Sequence, residues 1–177
     1  VVMWKGDFQG VWAQSFTVTD LGTLGGAESY GWDVNTARSV VGGADNGSVT
    51  LPFIWLPQAA RGYNAGMNAL PLPPGDFAGF AVGVQESDGA VGFTIGPNGT
   101  RAVLFGNPPI DLGTLPGQFS PIAFELNEDF EVVGSSLYDL GGLVREQGFL
   151  WLPAPKYQLP AGINAINLLA GHESCAA

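Results

Sequence analysis

The chain has 177 residues, of which 46% are hydrophobic and only 12% charged, and its 6 basic against 16 acidic residues give a net charge of −10. This length fits one domain with a sizeable core. The acidic balance excludes a nucleic-acid binder, because phosphates need a basic face, and it disfavours anionic membrane surfaces. Cys175 is the only cysteine and His172 the only histidine, so no internal disulfide can form and little remains for a metal or catalytic site.

No apolar run approaches the roughly 20 residues that cross a membrane, so we predict no membrane insertion. Residues 1–14 include Lys5 and Asp7 and lack a continuous apolar stretch, so we predict no intact signal peptide there; a signal removed earlier and a sequence that starts late are both compatible with this. The low charge and the many Gly, Ser and Thr residues are compatible with an extracellular or cell-surface protein. The 27 glycines and 13 prolines are spread between apolar runs, which is typical of turn-rich β proteins.

Short β-strands separated by turns are predicted along the whole chain. No stretch keeps the period of an amphipathic helix over three turns, so almost no helix is expected. Hairpin turns are predicted at Asp45–Ser48, Asn98-Gly99 and Asp139–Gly142, and Gln58–Ala65 is expected to be an irregular surface loop. The predicted strands, in chain order, are Val1–Trp4, Phe16–Thr19, Gly31–Asn35, Ser39–Gly43, Leu51–Leu56, Gly79–Val84, Ala90–Thr94, Ala102–Phe105, Ile122–Asn127, Val132–Gly134, Gly148–Trp151 and Ile163–Asn167.

An internal repeat organises these strands. The pentapeptide Asp20–Leu24 returns letter for letter as Asp111–Leu115, and Phe53–Pro57 returns with one substitution as Phe149–Pro153. Phe105 stands where the first and third copies have tryptophan, which gives a period of about 48 residues. The predicted copies are 16–57, 70–107 and 108–153, with partial copies at 1–15 and 159–177.

Four short strands in each copy fit a blade of a β-propeller or of a similar β-sheet array. Each blade buries its apolar faces only when neighbours stack on it. We expect about four such units in one domain. The partial copies at the two ends then complete one blade within the chain, or pair with a second chain to give a dimer or a filament, or belong to a longer propeller.

The repeated residues resemble the HAF repeat family of bacterial extracellular repeat proteins, whose copies begin with Asp-Leu-Gly-Thr-Leu-Gly-Gly. The resemblance implies export and a propeller-like β fold, and it implies no established activity. The His of the family name is replaced by Leu51-Pro52 and Gln147-Gly148, and the middle copy lacks the pentapeptide. The matching residues are Phe16–Gly26, Val34-Asn35, Val40–Gly42 and Phe53–Trp55 in the first copy, and Asp111–Leu115, Leu126-Asn127, Val132–Gly134 and Phe149–Trp151 in the third.

Polar residues that recur at the repeat period are interpreted as structural. Asp20 and Asp111 have the chemistry of an acid–base pair or of calcium ligands, yet a residue required once per blade is more simply an Asp that caps a turn. Asn35, Asn127 and Asn167 are predicted to form turns that tolerate left-handed geometry. The acidic cluster of Glu125, Glu128, Asp129 and Glu131 lacks calcium-loop spacing and is interpreted as a solvated edge.

The aromatic residues fall into two groups, those that recur at the repeat period and those that do not. Trp55, Phe105 and Trp151 recur inside apolar strands and are predicted to pack in the core. A stacking platform for sugars would use aromatics outside this pattern, namely Trp4, Trp12, Trp32, Tyr30 and Tyr63. His172 beside Glu173, Ser174 and Cys175 does not make a triad, because triads are assembled in space.

The sequence therefore favours a non-enzymatic extracellular β-propeller repeat protein that serves as a structural, self-assembly or interaction module. Its partners would be further copies of itself, bound through the terminal strands. The alternative is a carbohydrate- or small-ligand-binding propeller with sites between blades or in the channel. An enzyme would need two carboxylates within about 5–10 Å in a cleft. We predict no catalytic, cofactor-binding or metal-ligating residue and no cofactor.

Overall fold

The computed structural model describes residues 17–167, which form twelve β-strands and no helix. The predicted strand Val1–Trp4, the partial copy 1–15, and His172 and Cys175 lie outside the described residues. The strands are β1 Ser29–Val34, β2 Val40–Asp45, β3 Thr50–Leu56, β4 Gly66–Ala69, β5 Ala78–Val84, β6 Ala90–Gly96, β7 Gly99–Phe105, β8 Ile110–Asp111, β9 Phe119–Leu126, β10 Val132–Asp139, β11 Val144–Leu152 and β12 Gly162–Ala165.

Three four-stranded antiparallel sheets, each with its strands in chain order, contain all twelve strands. The first sheet is β1–β4, the second β5–β8 and the third β9–β12, which confirms the prediction of an all-β chain of short four-stranded antiparallel units. Phe105 does take the place of the two tryptophans. Trp55, Phe105 and Trp151 each pair with the first residue of the second strand of their own sheet.

β4 and β12, the fourth strands of the first and third sheets, lie in or next to segments for which the sequence predicted something else. The segment Gln58–Ala65, expected to be irregular, contains a tight turn in which Arg61 and Gly62 have positive φ, and β4 follows it. Ile163–Asn167 was expected to begin a new copy, yet it contains most of β12, which pairs with β11. A tight turn also precedes β12. The similar pentapeptides Ala65–Ala69 and Ala161–Ala165 are the sequence signal for these strands.

The second copy of the pentapeptide connects the second sheet to the third, whereas the first copy lies ahead of the first sheet. Asp111, expected to open a copy, lies in β8 at the end of the second sheet. Gly113 has a positive φ of 82°, which turns the chain away from β8. Leu112 and Leu115 are then buried between the second and third sheets. Leu21 and Leu24 are partly buried against the first sheet, so both copies of the pentapeptide place two leucines against a sheet.

The sheets stack on one another's faces. β5 lies against β1, β2 and β3, and β9 lies against β5, β6 and β7. Within residues 17–167 the first and third sheets make no extensive strand contact, so these three sheets form an open stack. One apolar cluster lies between the first two sheets and another between the second and third. The buried members of these clusters are Val41, Ile54, Leu56, Leu70, Ala81, Val84, Ala90, Val103 and Phe105 in the former, and Val91, Ala102, Leu104, Leu112, Leu115, Ala123, Leu126, Val132 and Phe149 in the latter.

Candidate functional site

Asp20 and Asp111 each cap a turn. The Oδ1 atom of Asp20 accepts the N–H of Gly22 at 2.9 Å, and Oδ1 of Asp111 accepts the N–H of Gly113 at the same distance. Asp111 also lies 3.5 Å from the guanidinium of Arg101. A carboxylate that accepts a backbone N–H two residues ahead stabilises the turn, which confirms the structural interpretation of this pair.

Three corresponding turns join the first and second strands of each sheet. They cover residues 35–39, 85–89 and 127–131. In each turn the N–H of the first residue donates to the carbonyl of the fifth residue. Asn35 and Asn127 do form turns, because each side-chain Oδ1 accepts the N–H of the fifth residue. Neither asparagine uses the left-handed geometry that it was predicted to tolerate. Positive φ occurs at the fourth residue of each turn, while Asn167 is the last described residue and lies two positions after the end of β12.

These turns bind one another across the stack. The Nδ2 group of Asn35 donates to the carbonyl of Gln85 at 3.0 Å and to Oδ1 of Asp88 at 2.9 Å. The N–H of Thr36 donates to the carboxylate of Glu86 at 3.1 Å. We call this set of contacts between successive turns the turn ladder.

The turn ladder continues from the second sheet to the third. The N–H of Glu86 donates to Oε1 of Glu128 at 2.8 Å, just as Thr36 donates to Glu86. A further inter-sheet bond lies beside it, in which the N–H of Val84 donates to Oδ2 of Asp33 at 2.9 Å. Hydrogen bonds to charged groups are stronger than neutral ones, so these carboxylates help to fix the order and register of the sheets.

The acidic cluster was expected to be a solvated edge, and for Glu131 this was wrong. Its side chain is only 8% exposed, accepts from Nδ2 of Asn127 at 2.6 Å and lies 2.6 Å from Nζ of Lys156. These partners, with Lys156 first, hold the pKa of Glu131 below its usual range. Lys156 also pairs with Asp129 at 2.9 Å. The ion pairs of Glu131 and Asp129 with Lys156 therefore bind the third turn to the segment that precedes β12.

Glu125 differs from the other members of the cluster. It is exposed, its Oε1 accepts the N–H of Leu126 at 2.9 Å, and burial of part of its carboxyl raises its pKa. Among residues 17–167 no group of three or more His, Cys, Asp or Glu side chains is arranged to hold a metal ion.

Three grooves, one beside each sheet, occupy corresponding places in the fold. The first, of about 130 Å³, is lined by Arg38, Trp55 and Pro57; the second, of about 550 Å³, by Asp88, Phe105 and Asn107; and the third, of about 360 Å³, by Phe130, Trp151 and Pro153. Each groove thus has the fourth residue of its turn, the aromatic residue of the third strand and the residue two positions further on. The sequence identified the aromatic positions and missed the turn positions.

The repeat-equivalent aromatic residues differ in burial. Phe105 is buried in the core and Trp55 and Trp151 are partly buried, and all three line grooves. Trp32 is 54% exposed and lies 5.7 Å from the ring of Phe80, away from the grooves. Tyr30 is exposed as well, and Trp4 and Trp12 lie outside the described residues.

Arg61 joins the second and third grooves. It lines both of them, as do Phe105 and Gly106, so the two grooves adjoin. Arg61 is the first residue of the tight turn before β4, and its guanidinium donates to the carbonyl of Ser87 in the second sheet. Sequence reasoning missed Arg61 because it placed this turn in an irregular loop.

Comparisons of this chain with protein-family models, with curated proteins and with solved structures found no match. The resemblance to the HAF repeat family therefore stays a prediction. Of the described residues, none forms a helix with the length and apolar character needed to span a membrane.

Proposed function

We propose that the chain is a non-enzymatic extracellular module whose sheets are successive units of a propeller-like array, and that it associates with further copies of itself through the third sheet. One observation is the main support. The first and second sheets each use the same positions to bind the next sheet, and the third sheet has corresponding residues with no described sheet against them.

The apolar part of this interface is formed by a cross-strand pair. Val41 pairs with Ile54 in the first sheet and Val91 with Leu104 in the second, and all four side chains are buried against the next sheet. The corresponding pair in the third sheet, Val133 and Leu150, is partly exposed. We call the side of the third sheet that bears Val133 and Leu150 its outward face.

The outward face extends further towards the β10–β11 hairpin. Leu137 pairs with Phe119, and the alternation of side chains places both on the same side as Val133. Val144, opposite Asp139, lies there too. Phe119 is 43% and Val144 56% exposed. A row of exposed apolar side chains on one sheet face marks an interaction surface.

The polar residues of this interface also have counterparts in the third sheet. Asn35 is buried beneath the turn of the second sheet, whereas Asn127, at the same place in the third sheet, is exposed. Glu125 occupies the position of Asp33, and within the described residues only one of its oxygens accepts a hydrogen bond. The second oxygen of Glu125 is available to accept a backbone N–H of a further sheet, just as Oδ2 of Asp33 accepts the N–H of Val84.

The occupant we propose is the first sheet of a second copy, in a head-to-tail arrangement. Its exposed turn has Arg38 where the second sheet has Asp88. Stacking would bring this Arg38 to Asn127, beside the acidic Glu128 and Asp129. Opposite charges at these positions favour this partner, and a heterologous contact of this kind extends into rings or filaments.

Light scattering and sedimentation at rising protein concentration test this proposal. We expect growth beyond the monomer mass for the unaltered chain, and a clear shift towards monomer for Phe119→Ser and Val144→Lys. Phe77→Ser is the matched control, because Phe77 is 52% exposed and lies outside the outward face. It should leave association unchanged. A monomer at every concentration, or equal effects of Phe119→Ser and Phe77→Ser, would overturn the proposal.

A further inference from the structure

The second and third grooves adjoin and form one depression that is lined by residues of all three sheets. They share Arg61, Phe105 and Gly106, and their volumes are about 550 and about 360 Å³. Each is within the usual range of roughly 300–1,000 Å³ for small-molecule sites. An occupant that fills both must be long, with more than one unit.

The walls of this depression offer flat apolar surfaces. In the third groove these are the rings of Phe130 and of the partly exposed Trp151. In the second groove the surface is that of Tyr63, a half-buried tyrosine whose pKa is raised by its burial, beside the buried Phe105. Aromatic rings of this kind pack against the C–H face of a sugar ring, which is apolar while its edge is polar.

The rims provide the complementary polar groups. Arg61 supplies donors, Asn107 both donors and acceptors, and Asp88 acceptors. One oxygen of Asp88 accepts from Asn35, and among residues 17–167 nothing donates to the other. Donors and acceptors beside an apolar floor match hydroxyl groups, each of which donates and accepts.

Charge narrows the class of ligand. The chain has a net charge of −10, and Asp88 and Asp129 lie at the two grooves, so an anionic glycan would be repelled. We propose that the second and third grooves together form a binding site for a neutral oligosaccharide that spans Arg61. Its reducing and non-reducing ends would lie in different grooves, and Arg61 would bind hydroxyls at the junction.

Calorimetric titration of the full chain with neutral hexasaccharides tests the site, with cellohexaose, xylohexaose, mannohexaose and chitohexaose as the probes. We expect at least one to bind with a dissociation constant of about 1 mM or tighter. Its disaccharide should bind more weakly, because it fills only one groove. Arg61→Ala should weaken the hexasaccharide and leave the disaccharide less affected.

Trp151→Ala should reduce affinity by roughly tenfold, through loss of the aromatic surface. Trp151→Phe keeps an aromatic ring, so it should retain most of the affinity. It also shows whether Trp151→Ala loses binding only because the variant misfolds. Trp32→Ala is the matched control, since Trp32 is exposed outside the grooves. The proposal is overturned if no hexasaccharide binds at about 5 mM, or if Trp32→Ala weakens binding as much as Trp151→Ala.

Discussion

Replacement of Asn35 by alanine should weaken the stack far more than replacement of an ordinary turn asparagine. Asn35 is only 8% exposed and makes three side-chain hydrogen bonds. Its Oδ1 accepts the N–H of Ser39 at 2.9 Å within its own turn. Its Nδ2 donates to Gln85 and Asp88 in the next sheet, at 3.0 and 2.9 Å. Alanine removes all three bonds at once.

The magnitude follows from the partners that remain. The N–H of Ser39 and the carbonyl of Gln85 belong to buried residues, and each neutral hydrogen bond contributes about 1 kcal/mol. The bond to the Asp88 carboxylate contributes about 1.5–3 kcal/mol before any discount for its partial exposure. The variant Asn35→Ala should therefore lower the free energy of unfolding by about 3–4 kcal/mol.

Urea unfolding followed by tryptophan fluorescence measures this loss. Asn46→Ala is the matched control, because Asn46 is exposed and its Oδ1 accepts only the N–H groups of Ser48 and Val49 in its own hairpin. It should cost less than about 1 kcal/mol. If Asn35→Ala costs no more than Asn46→Ala, the turn ladder does not stabilise the stack and our reasoning about it fails.

Three further variants test other parts of the fold. The pKa of Glu131 is lowered in the folded chain, so its carboxylate contributes to stability above the usual carboxyl pKa of about 4.3, and this contribution is lost as the pH falls further. The free energy of unfolding of Glu131→Gln should therefore fall less between about pH 6 and pH 3 than that of the unaltered chain. Urea unfolding at a series of pH values measures this difference. Gly43→Ala should cost about 1–3 kcal/mol in urea unfolding, since a Cβ there would overlap the ring of Phe80; no loss would mean that this ring moves freely. Asp111→Ala should cost only about 1 kcal/mol through the lost hydrogen bond from the N–H of Gly113, and loss of oligosaccharide binding or of self-association without loss of stability would contradict its structural role.

Local chemistry made the strands and hairpins predictable. Asp45–Ser48, Asn98-Gly99 and Asp139–Gly142 do lie at hairpin connections, because Asn, Asp and Gly favour the backbone geometry of a turn wherever they occur. The places of Trp55 and Trp151 were predictable from their apolar neighbours. The fourth strands were harder to predict. β8 has only two residues and β12 only four, too few to show an alternating pattern.

The sequence by itself determined the all-β character, the turn chemistry and the correspondence of Phe105 with the tryptophans. Only the tertiary structure decided that Asp111–Leu115 connects two sheets, that Asn35 binds across a sheet boundary, and that Arg61 joins two grooves. The physical reason is distance along the chain. Turns and strands depend on residues a few positions apart, whereas Asn35 meets Asp88 and Arg61 meets Ser87 only after whole sheets have formed and stacked.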